Sequence, residues 1–119
     1  MVNLEVMIYH NPRCSKSRNA LAILQEQGIQ PLVVEYLKTP FNAKQISSIC
    51  LKLGIKPEQL LRKGESVFKE YYSGDNMTDA ASIKAMVKHP ILIERPIIVC
   101  GNKAVIGRPP EQVLLILNN

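Results

Sequence analysis

The chain has 119 residues, of which 46% are apolar and 21% charged, and 15 Lys and Arg against 10 Asp and Glu give a net charge of +5. A chain of this length buries roughly 65% of the surface that it exposes when unfolded, so we expect one domain over residues 1–119. No apolar run approaches the roughly 18 residues of a membrane span, and the N-terminus lacks the basic start of a secretory signal. We therefore expect a cytoplasmic protein without a membrane partner. The basic residues are scattered and Trp is absent, which disfavours nucleic acid as a partner and fits a small anionic substrate better.

The three cysteines are Cys14, Cys50 and Cys100, and no two of them form a CxxC pair. An odd number of cysteines in a reducing compartment is typical of reactive or packed thiols and not of a disulfide framework. No spacing typical of metal ligands stands out. The sequence therefore predicts neither disulfides nor a metal site.

The first 36 residues predict a strand, a helix and a second strand. Residues 4–10 alternate and are followed by an Asn-Pro pair that cannot continue a sheet ladder. Residues 15–27 have helical periodicity and end before Gly28. Pro31 then precedes a short β-branched run at residues 32–36. A unit of this order is expected to place its two strands parallel, with a right-handed crossover.

Residues 42–89 predict a block of four short helices. Asn42 and Gln45 have the spacing of a capping box at the start of the first helix, and Gly54 ends it. The last helix is expected to turn Val87 inward and to end before the following proline, which excludes a helical residue in front of it. After the first helix, the others are predicted at residues 57–63, 65–72 and 78–89, and Thr78 is expected to cap the last one.

The last third of the chain returns to strands. Residues 97–100 and 103–106 are apolar runs separated by a Gly-Asn pair, the pattern of a type II′ hairpin with antiparallel strands. A final helix is expected to begin at Pro109 or Pro110. The element order is β-α-β, helical insertion, β-β-α, which predicts an α/β fold with a four-stranded mixed sheet.

Cys14 lies where the first strand is followed by the first helix, so free N–H groups and the positive end of the helix dipole face its sulfur. Arg13, Lys16 and Arg18 add positive charge, which also favours the thiolate. The alternative is a packed strand-end cysteine, but its charged neighbours would be costly to bury. Ser17 stands where a dithiol motif would carry its second cysteine, so a resolving thiol must come from elsewhere, and glutathione is the natural candidate.

Three arginines stand beside turns or helix ends, and they are Arg62, Arg95 and Arg108. Each alone is typical of a surface residue, but together their guanidinium groups match the acceptors of a tetrahedral oxyanion. The helix start at Cys14 attracts the same kind of anion. The spacing from Cys14 to Arg18 is C-x3-R and not the C-x5-R of phosphotyrosine phosphatases, which weakens a phosphatase function.

The two histidines and the other cysteines leave simpler alternatives open. His10 ends the first strand, where it either packs or supplies a hydrogen bond or positive charge near Cys14. His89 is typical of a cation at a helix C-terminus. Cys50 and Cys100 lie in apolar patterns and are predicted to be packed thiols.

Four segments of the chain resemble one known family. Residues 10–18 are HNPRCSKSR, residues 60–63 are LLRK, residues 89–97 are HPILIERPI, and residues 107–111 are GRPPE. In order and spacing they resemble the glutaredoxin-dependent ArsC family of arsenate reductases over nearly the whole chain. The resemblance implies a thioredoxin-like fold with a helical insertion, which agrees with the topology predicted from the residues.

The resemblance also implies a mechanism and a set of site residues. Cys14 would be the nucleophile that attacks arsenate, and His10 and Ser17 would be supporting residues that favour the thiolate. Glutathione would attack the arsenic adduct as a co-substrate, and glutaredoxin would resolve the mixed disulfide. No metal or bound cofactor is implied. The residues that would hold the oxyanion are Arg62, Arg95 and Arg108.

Further expectations follow from the same resemblance. The Arg95–Pro96 bond falls where thioredoxin-like folds carry a cis-proline, so it is predicted to be cis. The chain stops at Asn119, whereas several established reductases have a longer C-terminal segment. Two other functions stay open: a glutathione-dependent thiol or oxyanion reductase with another substrate, and a regulator like the Spx-type proteins that bind RNA polymerase. The Spx-type proteins commonly carry CxxC where this chain has CSKS.

Overall fold

The computed structural model describes residues 5–117. Contacts divide the chain into two compact units, one of Met1–Thr39 with Arg95–Asn119 and the other of Pro40–Glu94. The expectation of a single domain with an insertion at about residues 42–89 stays a prediction. No helix among the described residues is long and apolar enough to cross a membrane.

The elements in chain order are β1 (Val6–His10), α1 (Ser15–Glu26), β2 (Leu32–Glu35), α2 (Ala43–Leu53), α3 (Pro57–Leu60), α4 (Ser66–Tyr71), α5 (Asp79–Lys88), a 3₁₀ turn (Pro90–Leu92), β3 (Ile97–Cys100), β4 (Lys103–Ile106), a 3₁₀ turn (Pro110–Val113) and α6 (Leu114–Leu117).

The first unit contains a four-stranded sheet with the order β2-β1-β3-β4. β1 pairs with β2 in parallel and with β3 antiparallel, and β3 and β4 form an antiparallel hairpin. Gly101 has φ of 61° at the first turn position, where a type II′ turn requires a positive φ. The predicted α/β fold with a mixed sheet is confirmed, and the fold is thioredoxin-like. Leu4, which was predicted in the first strand, lies outside the described residues.

One face of this sheet carries the hydrophobic core of the first unit. Ile8 of β1 and Ile98 of β3 are fully buried against Ala20 and Leu24 of α1. Val113 from the C-terminal 3₁₀ turn completes the same cluster and is also fully buried. Complete burial of one such aliphatic side chain stabilises the fold by about 1.5–3 kcal/mol. This core fixes the end of β1 and the start of α1, between which Cys14 lies.

The second unit is helical, and its caps are those that the sequence predicts. Asn42 Oδ1 accepts from the Gln45 N–H at 2.8 Å, and Gln45 Oε1 accepts from the Asn42 N–H at 2.9 Å. Gly54 follows α2 with φ of 71°, a value that costs little only for glycine. Thr78 Oγ1 caps α5 by accepting from the Ala81 N–H. The capping expectations for α2 and α5 are thus confirmed.

Two helix predictions were wrong in detail. The second predicted helix stops at Leu60, because Leu61 is extended and pairs with Ile93. Val87 was expected to turn inward but is 36% exposed, since α5 buries the stripe that contains Ala85 and Met86. The final helical segment begins at Pro110, as predicted, with a 3₁₀ turn before it becomes α-helical, as helix ends often do.

Candidate active site

Cys14 is the N-cap residue of α1, as the sequence predicts. Its extended backbone, with φ of −95° and ψ of 123°, ends the turn that follows β1. The Cys14 N–H donates to the Asn11 carbonyl at 3.0 Å, and the Cys14 carbonyl accepts from the Arg18 N–H at 3.0 Å. Cys14 is partly buried, and hydrogen bonds to its N–H and to its carbonyl fix its backbone.

The surroundings of Cys14 favour its thiolate. Partial burial by itself raises the pKa of the Cys14 thiol. Hydrogen bonding by the backbone N–H groups of Ser17 and Lys16 and by the side chain of Arg95 lowers it, and the net pKa is below the ordinary value. Arg95 contributes to this effect both by its hydrogen bond and by its charge. The Arg18 guanidinium donates to the Pro12 carbonyl at 2.9 Å, and the predicted effect of the charges flanking Cys14 stays a prediction.

His10 and Ser17 form a buried polar pair beside this turn. His10 Nδ1 lies 2.6 Å from Ser17 Oγ, and the Asn11 N–H donates to the same hydroxyl at 3.1 Å. Burial lowers the pKa of His10, Glu35 raises it and Arg18 lowers it, with a net value below the ordinary one. Among the roles that the sequence left open for His10, the structure therefore favours a hydrogen bond, which it makes with Ser17 Oγ.

Arg95 and Arg108 both reach the Cys14 sulfur. Arg108 Nη2 lies 3.5 Å from Cys14 Sγ, and Arg108 Nε donates to the Arg95 carbonyl at 2.7 Å. The Arg95–Pro96 bond is cis, as predicted, and the Arg108–Pro109 bond is cis as well. The structure thus places two of the three predicted arginines on one thiol.

Gly107 sets the position of the residue that follows it. Its N–H donates to the Pro96 carbonyl at 2.9 Å. A Cβ on Gly107 would lie 2.9 Å from Pro96 Cγ, 3.2 Å from Ala20 Cβ and 3.3 Å from Ile98 Cδ1. Only glycine allows the backbone to approach this closely, so Gly107 brings Arg108 to its place beside Cys14.

Arg62 lies in the second unit, where two carboxylates bind it. Its Nη1 is 2.6 Å from Glu94 Oε1 and its Nε is 3.3 Å from Glu65 Oε2. The β-bridge between Leu61 and Ile93 brings Arg62 next to Glu94. As part of this pairing, the Arg62 N–H donates to the Leu92 carbonyl at 2.7 Å. The role predicted for Arg62 toward an oxyanion stays a prediction.

The remaining candidates are two cysteines and a histidine. Cys50 is 3% exposed, and burial, followed by the charge of Asp79, raises the pKa of its thiol. Cys100 packs against the core of the first unit, so both packed-thiol predictions are confirmed. His89 stacks on Tyr71 with ring centroids 5.7 Å apart. Among residues 5–117 no three His, Cys, Asp or Glu side chains are grouped as metal ligands.

Sequence reasoning missed two residues of the site, Asn11 and Gly107. The signal for Asn11 was an Asx residue three positions before the cysteine in a turn, since such side chains bond to backbone groups two residues on. The signal for Gly107 was a glycine directly before a candidate anion-binding arginine. Both act through the backbone, which residue chemistry alone does not reveal.

The fold and the site define a thioredoxin-like domain with an activated cysteine at the start of its first helix. A profile of the ArsC family matches residues 9–116, and the chain belongs to that family. It is 49% identical over 115 residues to an uncharacterized protein, YfgD, of Escherichia coli strain K12, across 95% of this chain and 97% of the relative. It is 45% identical over 116 residues to a protein of Haemophilus influenzae named arsenate reductase, across 96% and 100%. A solved structure named arsenate reductase, from Vibrio cholerae, matches with a TM-score of 0.91 and 46% identity, across 97% of this chain and 99% of that one.

Proposed function

We propose that this protein reduces arsenate to arsenite through a covalent intermediate on Cys14. The observation that carries the proposal is the convergence of a thiol of lowered pKa with the guanidinium groups of Arg95 and Arg108. A nucleophile and two fixed cations fit a reaction in which a thiolate attacks a tetrahedral oxyanion. The high identity with relatives named arsenate reductase supports arsenate as that oxyanion.

In the first step the Cys14 thiolate attacks arsenic and forms an S–As bond. One arsenate oxygen leaves as hydroxide and becomes water after it takes up a proton, while arsenic remains As(V). Arg95 and Arg108 stabilise the negative charge on the remaining oxygens by charge-assisted hydrogen bonds, each worth about 1.5–3 kcal/mol. Arg62 is proposed as a third ligand of the oxyanion.

In the second step a glutathione thiolate attacks the Cys14 sulfur. The S–As bond breaks and its electron pair stays on arsenic, which leaves as arsenite, As(III). The two sulfurs form a mixed disulfide, and a glutaredoxin thiolate then attacks the glutathione sulfur and releases the Cys14 thiolate. Ser17 stands where a CxxC motif would carry its second cysteine, so the motif contains no resolving thiol. The electrons are therefore proposed to come from glutathione and glutaredoxin. Such partners belong to a reducing compartment, so the cytoplasm is the proposed location.

The pair formed by His10 and Ser17 is proposed to stabilise the Cys14 thiolate through the first turn of α1. The Ser17 N–H favours the thiolate directly, and the Ser17 side chain is held by His10 Nδ1 and the Asn11 N–H. His10 thereby acts through the first turn of α1 and needs no charge of its own. No metal or bound cofactor has a role in the proposed steps.

The test is arsenate-dependent oxidation of NADPH by the pure protein with glutathione, glutaredoxin and glutathione reductase. We expect Cys14→Ser to abolish turnover, because it removes the nucleophile, and the matched variant Cys100→Ser to leave turnover nearly intact. Cys50→Ser is expected to behave like Cys100→Ser. Phosphate is expected to bind without turnover, because phosphorus does not accept the electron pair.

Two outcomes would overturn the proposal. Full turnover in Cys14→Ser would exclude the mechanism. No turnover in the wild type, while Cys14 is alkylated rapidly at neutral pH, would exclude arsenate and favour a glutathione-dependent reductase with another substrate. In that second case, capture of RNA polymerase that survives Cys14→Ala would favour a regulator.

A further inference from the structure

Asn11 makes three hydrogen bonds in the turn between β1 and α1, and it is 5% exposed. Its Oδ1 accepts from the Arg13 N–H at 3.0 Å. Its carbonyl accepts from the Cys14 N–H at 3.0 Å, and its N–H donates to Ser17 Oγ at 3.1 Å. One buried residue therefore connects the end of β1 to the nucleophile and to the first turn of α1.

The side-chain bond of Asn11 is the one that depends on residue type. Any residue except proline can supply the two backbone groups, but the bond to Arg13 needs a short side chain with an acceptor, the arrangement called an Asx turn. Asn and Asp make it best, and Ser makes it more weakly. Without that acceptor the Arg13 N–H loses its partner, and the turn before Cys14 loses one of its constraints.

We propose that Asn11 is a positioning residue that holds the Cys14 sulfur against the N-terminus of α1. The orientation of the turn decides whether the sulfur meets the N–H groups of Lys16 and Ser17. Those groups favour the thiolate only at short range, because the influence of a helix terminus fades within its first turn. Asn11 therefore acts through Cys14 and does not itself touch the substrate. This inference rests on the proposed function only in taking Cys14 as the nucleophile.

The choice of Asn over Asp at this position has an electrostatic reason. Asp would keep the acceptor but would bring a negative charge into the same turn as the thiolate. Two neighbouring anions raise each other's pKa. Arg13, Lys16 and Arg18 flank Cys14 in the sequence. Arg95, from the segment before β3, and Arg108, from the segment after β4, contact its sulfur. Asp at position 11 would oppose both of them, and an uncharged amide does not.

The experiment measures the rate of Cys14 alkylation by iodoacetamide from pH 5 to 10 in the full chain, read from the mass of the Cys14 peptide. We expect Asn11→Ala to raise the midpoint of the pH profile by about 0.5–1 unit, since the thiol loses part of its contact with the helix start. Asn11→Asp should raise it by about 1 unit through charge. Asn11→Ser should stay within about 0.3 unit of the wild type, because it keeps an acceptor.

The chain offers a matched control at Asn42, whose Oδ1 caps α2 in the second unit. Asn42→Ala also removes an Asn acceptor from a helix start, and it should leave the alkylation midpoint unchanged. Circular dichroism confirms that each variant is folded before it is alkylated. Alkylation reports on Cys14 whether or not arsenate is reduced, so failure of this inference and failure of the proposed function are separate results.

Three results would overturn the inference. The first is a folded Asn11→Ala variant with the wild-type midpoint. The second is an equal shift in Asn42→Ala, which would make the effect a general loss of stability. The third is an Asn11→Ser shift as large as that of Asn11→Ala. If Asn11→Ala does not fold, Asn11→Ser decides, and a shift of more than about 0.3 unit in a folded Asn11→Ser variant overturns the inference.

Discussion

Gly107 is where a single methyl group is expected to damage both the fold and the site. In the substitution Gly107→Ala, the new Cβ would lie 2.9 Å from Pro96 Cγ. Carbon atoms in favourable contact lie about 3.5–4.0 Å apart, so the Pro96 ring or the Gly107 backbone must move by about 0.6–1 Å. Ala20 and Ile98 block two other directions, at 3.2 and 3.3 Å. The strain therefore falls on the segment that carries Arg108.

The expected cost can be worked out from two opposing terms. Overpacking of this kind lowers the free energy of unfolding by about 1–3 kcal/mol. The loss of glycine's freedom in the unfolded chain offsets about 0.4–1 kcal/mol of it. The midpoints of these ranges give a net destabilisation of about 1.3 kcal/mol, which corresponds to a fall in Tm of roughly 5 °C for a chain of this size. Movement of Arg108 away from the thiol should also lower kcat/KM for arsenate.

The assay is thermal and urea denaturation of Gly107→Ala, with Gly64→Ala as the matched control. A Cβ on Gly64 would meet nothing within 4 Å, so that variant should be neutral or more stable by about 0.4–1 kcal/mol. A Gly107→Ala variant with wild-type stability and activity would refute the reasoning. Equal destabilisation of the two variants would refute it as well, because close packing at Gly107 would then explain nothing.

The remaining predictions concern Arg108, Arg62 and the pH dependence of stability. Arg108→Ala should lower kcat/KM for arsenate by about 100-fold or more, because it removes donors fixed at the oxyanion. Arg108→Lys should restore only part of that kcat/KM, since a point charge lacks the guanidinium fork. Unchanged kinetics in Arg108→Ala would show that Arg108 does not bind the oxyanion. Arg62→Ala should lower arsenate turnover and leave the rate of Cys14 alkylation unchanged. An effect on stability alone would mean that Arg62 only forms ion pairs with Glu65 and Glu94. The lowered pKa of Cys14 means that its thiolate stabilises the fold above the unfolded pKa of about 8.5, and that this contribution is lost as pH falls through the folded-state pKa. The difference in unfolding free energy between wild type and Cys14→Ser should therefore shrink as pH falls, and a constant difference would contradict the shift.

Local chemistry in the sequence was enough to predict most of the elements. The capping box at Asn42, the left-handed residue at Gly54 and the hairpin at Gly101 each depend on residues within a few positions of one another. The α/β class and the mixed four-stranded sheet follow from such elements together with general rules of sheet connection. The place of Cys14 at a helix start could be predicted for the same reason, because a strand end and a helix start are both local features.

The predictions that failed depended on contacts between distant segments. Leu61 leaves the predicted helix because Ile93 offers it a β-bridge, and no pattern near Leu61 records that partner. Val87 is exposed because packing selects which stripe of α5 is buried, and periodicity alone allows a neighbouring stripe. Tertiary contacts thus overrode weak local preferences at both positions.

The sequence by itself determined the thiol, its position at a helix start and the arginines available to it. Only the tertiary structure decided which of them act together. Arg108 reaches Cys14 across 94 positions of the chain, and Arg95, from another distant segment, helps to lower the pKa of the same thiol. The physical reason is that electrostatic and hydrogen-bonding effects depend on distance in space, and the sheet that joins β1, β3 and β4 sets those distances.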